Sequence, residues 1–169
     1  MVGYSESSDF DVTDNHGSYD YWVLKINSTG NLVWKKSFGG SGLDQAYGIA
    51  KSVNNTYLIA GTSNSTDGDI TSNKGNNDVW VVNIDDNGNK IWDRSFGGTG
   101  FDFANSISAL SNGNFVISGH TRSSDLDIND NKGENDFWAL IISPSGRLLW
   151  QKTFGGSSYD FAYDAKETK

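Results

Sequence analysis

Residues 20–40 read DYWVLKINSTGNLVWKKSFGG, and the pattern returns twice, as DVWVVNIDDNGNKIWDRSFGG at 78–98 and DFWALIISPSGRLLWQKTFGG at 136–156. The copies begin at Asp20, Asp78 and Asp136, so the period is 58 residues (78 − 20 and 136 − 78). A fixed period of this length is typical of repeat proteins, in which one unit buries its apolar face against its neighbours. The repeat is therefore the structural unit of this 169-residue chain.

Each repeat predicts four β-strands, because apolar and polar residues alternate and clusters of Gly, Asn, Asp and Ser separate the runs. In the first repeat the predicted strands cover residues 21–26, 32–38, 45–51 and 57–61, and the copy of the third strand in the last repeat covers 161–167. No useful stretch has the 3.6-residue periodicity of a helix. The sequence predicts an all-β chain with three repeats of four antiparallel strands, the pattern of β-propeller blades; a β-solenoid is the main alternative.

The repeat divides the chain into four parts when it is counted from the Asp-x-Trp opening. They are a closing strand and acidic loop at 1–19, blades at 20–77 and 78–135, and a last blade at 136–169 that lacks its fourth strand. An exposed strand edge pairs readily, and propellers close with about four to eight blades. We therefore expect the N-terminal strand of one copy to complete the last blade of another. The result is a dimer that forms a six-bladed ring; further blades in a longer chain are the alternative.

The large aromatic residues are expected to pack between adjacent blades. All six Trp residues lie at repeat positions, and Phe-Gly-Gly follows at a constant distance. A ligand-binding aromatic residue need not recur in every unit, so packing is the favoured role. The set expected to be buried is Trp22, Trp34, Phe38, Trp80, Trp92, Phe96, Trp138, Trp150 and Phe154.

Two resemblances follow from these motifs. The segment from Ile26 to Trp34, with copies that end in Trp92 and Trp150, resembles the tryptophan-docking motif of PQQ-like propeller blades. That resemblance implies blade packing alone, because the vicinal Cys and metal-binding residues of quinoprotein dehydrogenases have no counterpart here. The whole period resembles the tandem propeller-like repeats of large secreted or surface-attached prokaryotic proteins. This second resemblance implies an extracellular or cell-surface location, and it implies no known catalytic activity.

The composition of the chain argues against several kinds of partner and site. The formal net charge is −8 with a pI near 4.5, which argues against nucleic acid because a phosphate backbone would be repelled. No run of 18 apolar residues exists, so no membrane insertion is expected. The chain has no Cys, so disulfides and thiolate metal sites are excluded.

The acidic loop before each Asp-x-Trp opening is the candidate metal site. Calcium takes several carboxylate and carbonyl oxygens, and a short acidic loop with a glycine can supply them. The alternative is that Asp and Asn close turns through their own backbone amides. The candidate ligands are Asp9, Asp11, Asp20, Asp67, Asp69, Asp78, Asp125, Asp127 and Asp136.

No catalytic constellation emerges from the copies. His16 and His120 belong to no repeated or paired arrangement of residues. Each loop contains two carboxylates that are two residues apart, and their recurrence in every loop favours a structural role over that of a glycosidase acid and nucleophile. We therefore expect a non-catalytic module of a secreted or cell-surface protein, acting as a scaffold, an adhesin or a platform for glycan or protein. The alternative is a propeller enzyme, hydrolase or quinoprotein-like, which would need one repeat to carry residues that the others lack.

Overall fold

The computed structural model describes residues 1–168, and within them the chain forms β-strands and loops, one 3-10 turn at Val53–Asn55 and no α-helix. The strands are β1 (Val2–Ser5), β2 (Asp20–Ile26), β3 (Leu32–Phe38), β4 (Asp44–Lys51), β5 (Tyr57–Ser63), β6 (Asp78–Ile84), β7 (Lys90–Phe96), β8 (Asp102–Ala109), β9 (Phe115–Thr121), β10 (Asp136–Ile142) and β11 (Leu148–Phe154). Residues 1–168 contain no helix that is long and apolar enough to cross a membrane.

The strands form three antiparallel sheets, which confirms the all-β prediction. Sheet 1 has the order β1-β2-β3, sheet 2 the order β4-β5-β6-β7 and sheet 3 the order β11-β10-β9-β8. Tight turns join β2 to β3, β6 to β7 and β10 to β11, as the sequence predicts. Between β2 and β3, Asn27 Oδ1 accepts hydrogen bonds from the backbone N–H of Thr29 and Asn31 at 3.0 and 2.9 Å, and Gly30 adopts a φ of +84°.

The sheets recur with the 58-residue period of the sequence, but they do not begin where the predicted blades begin. Sheet 2 runs from Asp44 to Phe96, so two of its strands lie in the unit 20–77 and two in the unit 78–135. The acidic loop therefore lies inside a sheet, between β5 and β6. The Phe-Gly-Gly segment connects the last strand of one sheet to the first strand of the next.

The strand expected at 161–167 does not form. Its copies β4 and β8 pair with β5 and β9, and within the described residues no equivalent of those strands lies beside 161–167. The last residue of the predicted third unit, Lys169, lies outside the described residues.

Two apolar clusters hold the sheets face to face, and both faces of sheet 2 are buried. Every residue of β6 is buried, because alternate side chains of this strand enter opposite clusters. The cluster shared by sheets 1 and 2 contains Tyr21, Val23, Phe38, Ala46, Ile59, Ile70, Trp80, Val82 and Ile84. The cluster shared by sheets 2 and 3 includes Leu58, Val79, Val81, Phe96, Ile117, Trp138 and Leu140.

The aromatic prediction holds in the interior and fails at one face. Trp80 and Trp138 are fully buried, and Phe38 and Phe96 are buried too. Trp22, Trp34 and Trp92 are half-buried. Trp150 and Phe154 are 45% and 48% exposed, contrary to expectation, because no sheet formed by residues 1–168 covers that face of β11.

Candidate functional site

The acidic loop between β5 and β6 contacts the Phe-Gly-Gly segment of the preceding sheet. Asp67 Oδ1 accepts a hydrogen bond from the backbone N–H of Ser41 at 2.8 Å. Asp69 Oδ2 accepts one from the backbone N–H of Gly39 at 3.3 Å. Because these two donors follow β3, the loop of sheet 2 is tied to sheet 1.

The next acidic loop repeats this contact between sheets 3 and 2. Asp125 accepts hydrogen bonds from the backbone N–H and the hydroxyl of Thr99, both at 2.8 Å, and Asp127 accepts one from the N–H of Gly97 at 3.1 Å. Hydrogen bonds to a carboxylate are stronger than neutral ones. The N–H of Thr99 accordingly lowers the pKa of Asp125, as that of Ser41 lowers the pKa of Asp67.

The second glycine of Phe-Gly-Gly makes room for the docking carboxylate. A Cβ atom on Gly40 would lie 2.4 Å from Asp67 Oδ1, and one on Gly98 would lie 2.2 Å from Asp125 Oδ1. Any other residue would displace the loop. The second glycine of the pair is therefore explained by the close approach of a loop from the next sheet.

The third candidate in each loop is the buried Asp that begins β2, β6 or β10, and it closes its own loop. Asp20 accepts hydrogen bonds from the backbone N–H and Nδ1 of His16, both at 2.7 Å. Asp136 accepts one from the N–H of Lys132 at 2.8 Å, and Asp78 accepts the equivalent bond. The Oδ1 atom of each of the three has no hydrogen-bond partner within residues 1–168.

A second series of carboxylates, which the sequence reasoning missed, faces these three. Its members accept hydrogen bonds at 2.8 Å from the N–H of the second glycine in each Phe-Gly-Gly; they are Asp44, Asp102 and Asp160. A Cβ on Gly97 would lie 2.2 Å from Asp78 Oδ1 and 2.6 Å from Asp102 Oδ2, so two carboxylates meet at one glycine. Their 58-residue spacing was the signal that could have found them.

Burial raises the pKa of four of these carboxyl groups. It raises the pKa of Asp20, Asp44 and Asp102, against hydrogen bonds that lower it. It raises the pKa of Asp78 to about 6, with a further contribution from the charge of Asp102. Each of these four carboxyl groups therefore holds its proton to a higher pH than an exposed Asp does.

The structure separates the nine proposed calcium ligands into three kinds. Asp67, Asp69, Asp125 and Asp127 bind backbone N–H groups of the segment that follows the preceding sheet, and the three strand-opening residues close their loops. The side chains of Asp9 and Asp11 are exposed and make no hydrogen bond within the described chain. In residues 1–168 no group of three His, Cys, Asp or Glu side chains is arranged to hold a metal ion. Calcium binding stays a prediction.

Histidine has a packing role at one position. The His120 ring stacks on Phe103, with ring centroids 4.7 Å apart, and meets Phe161 edge-on at 4.9 Å. Burial, with the nearby charge of Arg122, lowers the pKa of His120 to about 4. The ring is therefore neutral near pH 7.

A scan of the chain against protein-family models and a search of curated proteins both find no match.

Proposed function

We propose that this chain is a non-catalytic module of β-propeller blades, which serves a secreted or cell-surface protein as a scaffold, an adhesin or a platform for glycan or protein. The observation that carries this proposal is that successive loops use the same carboxylates for the same backbone contacts, Asp67 with Ser41 and Asp125 with Thr99. Groups repeated at a fixed period serve contact between units. A catalytic centre needs groups held in one asymmetric arrangement.

The connections between sheets support the blade architecture. Strand β3, at the edge of sheet 1, leads to β4, the first edge of sheet 2, and β7 leads likewise to β8. The chain therefore completes each sheet from one edge to the other before it enters the next, as in consecutive propeller blades. The first strands β4 and β8 also lie in contact, as expected if they line a common axis.

Removal of the docking carboxylates tests the scaffold role. If they join neighbouring blades, Asp67→Ala and Asp125→Ala each lower the Tm, because a backbone N–H loses a charged acceptor. Side chains maintained for binding or catalysis commonly reduce stability, so their removal would leave the Tm unchanged or raise it. Ser124→Ala, at an exposed position of the same loop, is the matched control and should leave the Tm unchanged.

Activity assays address the non-catalytic part separately. We expect no turnover from a panel of glycosidase, esterase and phosphatase substrates. Turnover that a single-residue substitution abolishes would overturn the assignment. A glycan array probed with the same protein tests the platform role through saturable binding.

A further inference from the structure

Two turns of the chain contain the dipeptide Asn-Gly, at Asn87–Gly88 and at Asn112–Gly113, and the sequence has no third copy of it. The two turns share one backbone geometry. Gly88 and Gly113 adopt φ values of +80° and +84°, and the N–H of each donates to the carbonyl oxygen three residues earlier, at 3.1 and 3.0 Å. The surroundings of the two asparagines can therefore be compared directly.

Asn-Gly is the dipeptide in which asparagine loses its side-chain amide most readily. The backbone nitrogen of the glycine attacks the Cγ carbon of the asparagine, the bond from Cγ to the amide nitrogen breaks, and a cyclic imide forms. The glycine proton passes through solvent to the amide nitrogen, which leaves as ammonia. Water then opens the imide at either carbonyl and yields aspartate or isoaspartate. Glycine favours the attack because it has no Cβ atom to shield its nitrogen.

The reaction requires each turn to open. In both turns the glycine N–H is engaged in the hydrogen bond that closes the turn. The reactive form is therefore a locally opened state, and its population depends on the free energy of opening. Contacts that hold a turn closed protect its asparagine.

Sheet 1 holds the Asn87 turn closed. The side chain of Asp86 pairs with Lys25 Nζ at 2.7 Å, and the carbonyl oxygen of Asp86 accepts hydrogen bonds from Lys25 Nζ and Trp34 Nε1, both at 3.1 Å. The Trp34 ring lies 3.1 Å from the Cβ direction of Gly88, and this glycine is buried. Opening the turn therefore breaks contacts between two sheets.

The residue that begins each turn adds to the difference. Asp85 Oδ1 accepts a hydrogen bond from the backbone N–H of Asn87 at 2.8 Å. The equivalent residue of the other turn is Leu110, whose side chain cannot accept a hydrogen bond. There Asn112 Oδ1 itself accepts the N–H of Asn114 at 3.0 Å, which polarises the carbonyl group that the glycine attacks.

The Asn112 turn is less well covered. Within residues 1–168, nothing lies within 4 Å of the Cβ direction of Gly113, which is half-buried. The N–H and hydroxyl of Ser111 donate hydrogen bonds to Glu167 at 2.7 and 2.9 Å. Ser111 and Glu167 are both exposed, so water competes for these bonds.

A following sheet does not cover this position. The copies of Asn112 and Gly113 in sheet 2 are Asn54 and Asn55, and both are exposed although sheet 3 follows. The openness of the Asn112 turn therefore comes from its place between the first two strands of a sheet.

We propose that Asn112 is a site of spontaneous deamidation and isoaspartate formation, and that the contact between sheets 1 and 2 protects Asn87 from the same reaction. Conversion of Asn112 adds a negative charge to an exposed hairpin. Isoaspartate at Asn87 would lengthen the backbone of the turn on which Trp34 packs, and would disturb the contact between the sheets. The fold thus shields the asparagine whose modification would damage it.

Timed incubation of the folded protein at mildly alkaline pH, followed by peptide mapping with mass spectrometry, tests the order of reaction. Trypsin places the two asparagines in separate peptides, because Lys90 and Arg94 lie between them. A methyltransferase specific for isoaspartate identifies that product. We expect Asn112 to react at least about tenfold faster than Asn87, which corresponds to a difference of about 1.4 kcal/mol in the free energy of opening.

Two results would overturn the proposal. One is reaction of Asn87 at the same rate as Asn112 or faster. The other is no product at Asn112 over a period in which an unstructured Asn-Gly peptide reacts.

Incubation in urea separates the effect of the fold from that of the neighbouring residues. Unfolding removes the contacts of both turns, so the two asparagines should then react at similar rates. A difference that survives in urea would contradict the protective role of the contact between the sheets.

Lys25→Met tests that contact directly. It removes the ammonium group that pairs with Asp86, and because both side chains are partly exposed the variant should remain folded by circular dichroism. We expect faster reaction at Asn87 and an unchanged rate at Asn112. Trp34→Phe, which removes the indole N–H and keeps a ring, carries the test if Lys25→Met unfolds.

Asn112→Gln is the matched control. It should abolish the fast reaction and leave the rate at Asn87 unchanged, since the contacts of the Asn87 turn are intact. A rate at Asn87 that neither Lys25→Met nor Trp34→Phe increases would overturn the protective role of sheet 1.

Discussion

Replacement of Asp78 by asparagine tests the buried carboxylate pairs, and its expected effect depends on pH. Burial, helped by the charge of Asp102 and opposed by the backbone N–H of Lys74, raises the pKa of Asp78 from 3.8 to about 6. Between these values the folded state binds more protons than the unfolded state. The stability that Asp78 contributes is therefore fully present below pH 3.8 and is lost as the pH rises through about 6. At about 1.4 kcal/mol per pH unit, ionisation costs about 3 kcal/mol.

Asp78→Asn keeps the side-chain shape and removes the charge. We expect the variant to be more stable than the wild type by up to about 3 kcal/mol at about pH 8, and the difference to approach zero at about pH 4. Urea unfolding followed by tryptophan fluorescence gives both free energies. A difference that does not change with pH, or a loss of stability at the higher pH, would refute the reasoning.

Asp67→Asn is the matched control with the opposite sign. The N–H of Ser41 lowers the pKa of Asp67, so its stabilising effect is present at neutral pH and is lost as the pH falls through the folded pKa. This variant should therefore be less stable than the wild type near pH 8, and the two should converge on acidification.

Three further predictions concern packing and calcium. Trp80→Ala should cost roughly 3–5 kcal/mol in urea unfolding, because the ring is fully buried and its N–H bonds Asp93 at 3.1 Å; a cost under about 1 kcal/mol would contradict the packing. Gly88→Ala should lower the Tm, because φ is +80° and the new Cβ meets the Trp34 ring at 3.1 Å, whereas an unchanged Tm would contradict that contact. If the acidic loops bind calcium, the ion raises the Tm relative to chelator and releases or absorbs heat in a titration; no shift and no heat would count against a calcium site.

The strands could be predicted from sequence because they depend on local pattern. The alternation of polar and apolar residues and the glycine turns place the second strand at 32–38, where β3 lies, and the others, except the strand expected at 161–167, within a few residues of their observed ends. The phase of the sheets could not be predicted in this way. A repeat looks the same from any starting point, and whether β4 pairs with β3 or with β5 is decided by contacts far apart in the chain.

The candidate site was located by residue type, but its contacts were not foreseen. Carboxylates bind both calcium and backbone N–H groups, so sequence alone could not show that Asp67 would reach Ser41 in the connection between β3 and β4. Asp44, Asp102 and Asp160 were not identified from the sequence because they follow Phe-Gly-Gly and lie outside the acidic loops. The exposure of Trp150 was unforeseen for a different reason: a repeat position specifies a packing surface, and the covering sheet must be supplied separately.

Amide hydrogen exchange at Ser41 tests most directly whether the acidic loops join neighbouring sheets. The Ser41 N–H donates a hydrogen bond to Asp67 at 2.8 Å, so we expect it to exchange slowly in the wild type. In Asp67→Ala it should exchange much faster, while the Thr99 N–H, held by Asp125, keeps its protection. Fast exchange of Ser41 in the wild type, or protection that survives Asp67→Ala, would contradict the account.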